Sequence, residues 1–202
     1  YHMTEFARTI VNDAMDIHGG RGIQMGPRNY LAQGYIAIPI SITVEGANIL
    51  TRNLILFGQG AVRCHPYLRD EMDAITKKDM VSLDKLLIEH FSYSFKNLLK
   101  TFSFAFGLGH FFVDTPIKEL SYYYRQISRL SAALALVTDF TLIILGGSLK
   151  RKERLSARLG DVLSYLYMAS SVVRYVQDYP SSEEDRVYAQ WGLDYCLYHI
   201  QY

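Results

Sequence analysis

Residues 120–176, LSYYYRQISRLSAALALVTDFTLIILGGSLKRKERLSARLGDVLSYLYMASSVVRYV, decide the fold. Leu120, Tyr123, Ile127, Leu130, Leu134 and Val137 recur at steps of three and four, and so do Leu155, Leu159, Val162, Leu166, Ala169, Val173 and Val176. Side chains at that spacing share one face of an α-helix, so each half predicts a helix with a heptad-like apolar seam. Gly146-Gly147 supplies a stop for the first helix and Ser148 an N-cap for the second. The expected product is an antiparallel helical hairpin with the two seams face to face.

Working outward, the most apolar window, 130–145, is broken by Ser131, Thr138, Asp139 and Thr141 and falls short of the ~20 residues that span a bilayer. It is expected to be a buried helix. Upstream, 67–76 predicts a short helix, Lys77-Lys78-Asp79 a turn, and 80–101 a longer helix starting near Ser82. The Phe-rich run 102–113 holds Gly107 and Gly109; packed core is the expectation, with a greasy surface meeting a membrane or a partner as the alternative. Downstream, Tyr179-Pro180-Ser181-Ser182 is a turn, and Val187, Trp191, Tyr195 and Tyr198 begin a last helix. Near the start, 4–18 has helical spacing and stops at Gly19-Gly20. A short helix over 29–38 closes at Pro39, and 40–44 is an extended approach to Glu45. A helix over 47–57 follows, with a domain boundary at Gly58-Gln59-Gly60 and Cys64-His65-Pro66. No segment forms a strand pair, so the fold class is all-α, a helical bundle over 1–63 followed by a helical extension over 64–202.

The 202 residues can bury a sizeable core, and a net charge of +1 gives no global field directed at nucleic acid. Cys64 and Cys196 lack disulfide or metal spacing and suit free thiols in a reducing compartment; the expected location is the cytoplasm, with association with the inner membrane as an alternative. The six histidines are scattered without zinc-type spacing, so no metal is expected. Lys150, Arg151, Lys152, Arg154 and Arg158 form the one local basic cluster. A solvated face is its plainest reading; a phosphate ligand, an anionic lipid surface or an acidic partner are the others. The chain opens and ends in mid-pattern and is expected to be part of a longer protein.

Glu45 is a lone carboxylate before Gly46-Ala47-Asn48 and a nearly wholly apolar helix. A helix N-terminus favours its charge while apolar walls disfavour it, a balance that suits either an ordinary first-turn acid or a base working near neutral pH. Gly19-Gly20-Arg21-Gly22 follows a helix rather than a strand, which does not support a nicotinamide-binding fingerprint.

Taken together, Glu45-Gly46-Ala47-Asn48, Arg52 seven residues after the acid, and the upstream glycine turn resemble the C-terminal segment of flavin-dependent acyl-CoA dehydrogenases. Residues 16–66 and Gly146-Gly147-Ser148-Leu149-Lys150-Arg151 look like the long bacterial fatty-acid-degrading type, which carries a C-terminal extension. The resemblance implies Glu45 as the catalytic base and FAD as cofactor, approached by Asp16, His18, Gly19, Gly20, Gly46 and Ala47. In that family the glycine turn commonly serves the flavin of a neighbouring subunit. Asp16 stands where the family commonly has Gln, and Ala47 and Ile49 where Thr and Gln are usual. Also implied are a fatty acyl-CoA substrate, a homo-oligomer and an electron-transfer partner. The sheet domain and most of the N-terminal helical domain lie outside this chain, so the fragment alone is expected to be inactive.

Overall fold

Helix boundaries follow local chemistry along most of the chain in the computed structural model, which describes residues 1–202 apart from Glu45, Pro180 and Ser181, and of His110 the backbone only. The elements are α1 (His2–His18), α2 (Gly20–Ile23), α3 (Ala32–Thr43), α4 (Asn48–Leu50), a π-helical segment (Thr51–Gln59), α5 (Gly60–Cys64), α6 (Leu68–Lys77), α7 (Met80–Ala105), α8 (Ser121–Leu145), α9 (Glu153–Asp178) and α10 (Glu183–Gln201). There is no strand among the described residues. α1 stops at Gly19, whose positive φ of 54° an L side chain resists. α6 ends on Lys78 in the left-handed region, and the Asp79 carboxylate then caps α7 by accepting from Ser82 N–H at 3.1 Å. α10 begins with a reciprocal capping box between Ser182 and Asp185.

The hairpin expected from the seams is present, although Ser148 donates to the Leu145 carbonyl and Lys152, not Ser148, is the N-cap of α9, and its interior is shared with two further elements. Leu120, just before α8, and Tyr123 of α8 meet Ala169 and Val173 of α9 together with Leu193, Cys196 and Leu197 of α10, with Ile127, Leu130 and Val176 packed around them. A second cluster joins Leu159 of α9 and Leu149 to Phe57 of the π-helical segment, flanked by Leu134, Leu142 and Leu145. α9 is thus the central helix: α10 covers one side, the π-helical segment another, and α8 a third. α7 lies outside, packed on α8 and α6.

Several sequence expectations are corrected. Pro39 lies inside α3 rather than closing it, and residues 40–43 are helical rather than extended. The proline ring is exposed, so water can take the carbonyl that loses its partner. Gly58 and Gly60 do not break the chain, because helix runs without interruption from Asn48 to Cys64. Glycine is used there for close approach: a Cβ on Gly58 would meet Ser156 Oγ at 3.1 Å, and one on Gly160 would meet the Arg52 carbonyl at 3.1 Å. The window 130–145 is buried on one face only: Ala132, Asp139 and Thr141 are buried, whereas Val137, Phe140, Ile143 and Ile144 are exposed. In the Phe-rich run Phe104 is buried, whereas Phe102, Phe106 and Phe112 face outward. α10 buries Ala189, Leu193, Cys196 and Leu197 and leaves Val187, Trp191 and Tyr198 exposed, so the aromatic stripe marks its outer face.

Candidate functional site

The sequence-derived site residues lie at the two ends of α1. Asp16, His18, Gly19 and Gly20 are at its C-terminal end. Gly46 and Ala47 lie beside its N-terminal end, where Asn48 Nδ2 donates to Thr4 Oγ1 at 2.8 Å and to Glu5 Oε1 at 2.7 Å. Fifteen residues of helix between Thr4 and Gly19 correspond to about 22 Å, so one chain does not bring the two groups together. Glu45 itself lies outside the described residues. Its neighbour Gly46 has φ 104°, a conformation that favours glycine, and Ala47 is extended before α4.

Around the glycine turn, Asn29 does work that the sequence did not announce. Its Nδ2 lies 2.7 Å from the Gly22 carbonyl and 2.8 Å from that of Gln24, while its Oδ1 accepts from the N–H groups of Leu31 and Ala32 at 2.9 Å each. One side chain thus ties the turn to the start of α3. His18 is fully engaged: Nδ1 donates to the Ala14 carbonyl at 2.9 Å, which leaves Nε2 to accept from Tyr30 Oη–H at 2.8 Å. Asp16, Gly19 and Gly22 border a groove of about 770 Å³ with Met15, Met25 and Tyr35. A Cβ on Gly19 or Gly20 would meet no atom within 4 Å, so the turn leaves its backbone open beside apolar walls. His18, with both ring nitrogens engaged, lines a neighbouring groove with Arg21, Pro27 and Tyr30.

Arg52 anchors the helix that follows Glu45. Its Nε and Nη2 donate to Asp161 Oδ1 and Oδ2 at 2.8 and 2.5 Å, a two-pronged pair onto α9 that Tyr1 Oη joins. Burial raises the Asp161 carboxyl, but the bonds from Arg52 and Tyr1 outweigh it and hold the group below the usual carboxylate range. The same burial pushes the Tyr165 hydroxyl up to about 12.

A second polar cluster was invisible in the sequence. His65 and His90, far apart along the chain, have ring centroids 4.7 Å apart. His65 Nδ1 accepts from the N–H groups of Tyr67 and Leu68 at 3.3 Å, at the start of α6, so Nε2 carries the proton and donates to Asp139 Oδ1 at 2.8 Å. Ser94 Oγ donates to Asp139 Oδ2 at 2.5 Å, and His90 Nδ1 donates to Glu71 Oε1 at 2.8 Å. Burial raises the Asp139 carboxyl, and the His65 and Ser94 bonds more than offset it. The ligating atoms of His65, His90 and Asp139 lie within 4.8 Å of one another, a grouping that could hold a cation. A metal on His65 Nε2 would force the ring proton onto Nδ1, against two backbone N–H donors, so the hydrogen bonds fit a structural lock joining α6, α7 and α8. Spacing could not have shown it: these residues come from three elements, and Asp139 reads only as an interruption of an apolar run.

An all-α domain whose central helix is clamped by Arg52 is the structural class defined by these features. Residues 62–202 match the family model for the acyl-CoA dehydrogenase C-terminal domain of bacterial type, and the chain belongs to this family of oxidoreductase domains. No solved structure matches the chain.

Proposed function

We propose that this chain is the C-terminal part of an FAD-dependent acyl-CoA dehydrogenase that oxidises fatty acyl-CoA to trans-2-enoyl-CoA in fatty acid β-oxidation. The carrying observation is the family match over 62–202, whose first residues end an uninterrupted helix that begins at Asn48, just after Gly46-Ala47, and is clamped to α9 by Arg52 and Asp161. In this reading Glu45 takes the α-proton of the thioester as a hydride leaves the β-carbon, and the α,β double bond forms from the electrons of the broken α C–H bond. Bound FAD supplies the hydride acceptor. Gly46 and Ala47 lead into the helix that follows the base, the Arg52–Asp161 pair fixes the direction of that helix, and exclusion of water would strengthen the proton transfer.

Separation of the Gly19-Gly20 turn from Gly46-Ala47 along α1 supports a site assembled between subunits, hence a homo-oligomer. The turn of one chain would lie against the flavin held largely by another, with Asp16 and the Gly19 and Gly20 backbone beside it and His18 offering only its ring face. An electron-transfer partner would reoxidise the cofactor. We place the boundary of the extension at 63/64, in the last turn of α5, and the protein in the cytoplasm. The test is product analysis: the full-length protein should bind FAD, lose its yellow absorbance anaerobically on adding a fatty acyl-CoA, and release trans-2-enoyl-CoA. A full-length protein that binds no flavin, or whose flavin stays oxidised with acyl-CoA of every chain length, overturns the reading.

A further inference from the structure

The surface formed by α7 and α8 contradicts the rule that large apolar side chains pack inside. Ile88, Phe91, Phe95, Leu99 and Phe102 recur at steps of three and four along α7 and all face outward. They form a stripe about 21 Å long, at 1.5 Å per residue. On the antiparallel α8, Phe140, Ile143 and Ile144 continue it. Phe91 is 73% exposed, Ile143 74% and Ile144 75%. Contiguous apolar surface on this scale marks a docking site.

Charge identifies what docks. Although the chain is nearly neutral, residues 80–158 hold eleven Lys and Arg against six Asp and Glu, while the rest holds ten against fourteen. One of the six acids, Asp139, is buried and hydrogen-bonded to His65 and Ser94, so it offers little charge to the surface. Lys96 and Lys100 flank the α7 stripe, and Lys150, Arg151 and Lys152 are exposed directly after the end of α8 that carries Ile143 and Ile144. An apolar face edged by cations matches a lipid surface with anionic headgroups.

We propose that the α7–α8 face docks this domain on an anionic phospholipid bilayer, with the Phe and Ile side chains in the acyl boundary and the basic cluster at the headgroups. α8 with its flanking turns, Lys118–Arg151, is long and apolar enough to cross a membrane by length and composition. It does not cross: its opposite face is committed to protein through Leu120, Tyr123 and Ala132, and Asp139 ties it to His65 and Ser94. α8 lies in the plane of the interface. The groove between the helices, lined by Phe91, Phe95, Phe140 and Ile143 over His90 and Asp139, faces the lipid. Little further desolvation of the cluster follows, because Asp139 is already 3% exposed. The proposal is independent of the dehydrogenase chemistry.

The test is flotation of the 202-residue chain with phosphatidylcholine vesicles, with and without phosphatidylglycerol, at low and high salt. The chain should float with the anionic vesicles, less so at high salt and with phosphatidylcholine alone. Each cation near an anionic surface contributes about fivefold, so Lys150→Glu, Arg151→Glu and Lys152→Glu together, which remove three attractions and add three repulsions, should lower partitioning by at least about a hundredfold. Phe91→Ser with Ile143→Ser, both at exposed positions and checked for helicity by circular dichroism, should abolish flotation. A folded wild-type chain that floats with neither vesicle overturns the proposal. So does flotation indifferent to headgroup charge and to the triple reversal. If wild type does not float and Phe91→Ser with Ile143→Ser instead converts a dimer to a monomer in sedimentation, the occupant is a second copy and the proposal is wrong.

Discussion

Replacing Asp139 by Ala should unlock α6 and α7 from α8. The carboxylate accepts from His65 Nε2 at 2.8 Å and from Ser94 Oγ at 2.5 Å, and it is 3% exposed, so its removal strands two buried donors. Each stranded donor costs about 1–3 kcal/mol. We expect about 3–5 kcal/mol for Asp139→Ala, a large share of the ~5–15 kcal/mol that holds a domain folded. Asp139→Asn keeps the volume and an acceptor for His65, and the Ser94 hydroxyl can rotate to accept from the amide, so about 1–2 kcal/mol is expected there. The assay is the urea midpoint at unchanged denaturant slope, with His65→Ala added to the Asp139→Ala background. That second substitution should add little, because its partner is already gone. If Asp139→Ala unfolds within about 0.5 kcal/mol of wild type, or if His65→Ala costs as much with Asp139 absent as present, the lock does not exist.

Three further outcomes follow from packing and charge. Leu159→Ala should cost about 2–5 kcal/mol, since Leu159 packs with Phe57 and Leu149, whereas exposed Lys152→Ala should cost on the order of 0.5 kcal/mol or less; equal urea midpoints would refute the packing assignment. Gly160→Ala would gain helix propensity, but its Cβ would press on the Arg52 carbonyl at 3.1 Å, so a net loss of about 1–2 kcal/mol is expected, and a stabilised variant would contradict the close crossing. Asp161 and Asp139 have carboxyls depressed by their partners, so the unfolded chain protonates first as pH falls. Their contribution is complete above the ordinary carboxylate range and disappears as pH drops through the depressed folded values, so stability should fall steeply below about pH 4, and the fall should shrink in Asp161→Asn.

Much of the fold was legible because periodicity reports burial wherever one helix face meets one partner. The seams of α8 and α9 are of that kind, and Leu120, Tyr123, Ala169 and Val173 do meet. Periodicity failed where a helix has two different apolar faces. Val187, Trp191 and Tyr198 step as regularly as a core stripe, yet α10 buries Leu193 and Cys196, and nothing in the spacing distinguishes the sides. The apolar window of α8 misled in the same way, because an exposed apolar face and a buried one read alike. Gly58 reads as punctuation, since glycine in sequence signals conformational freedom and only the α9 crossing shows it is needed for lack of bulk. Of the candidate site, the glycine turn and Arg52 were legible through resemblance. Asp161, Asn29 and the His65–Asp139–His90 cluster were not, because each depends on a contact between elements remote in sequence.

The central claim, that Glu45 is the base of a flavin-dependent acyl-CoA dehydrogenase, is most directly tested by Glu45→Gln in the full-length enzyme. The amide is nearly isosteric but cannot take the α-proton, and loss of a general base costs ~10²–10⁴ in rate. The account predicts a folded variant with its full complement of FAD whose reduction by fatty acyl-CoA, followed anaerobically by stopped-flow absorbance, is slowed by at least that factor. Flavin reduction at near wild-type rate in a variant that retains its FAD would contradict it.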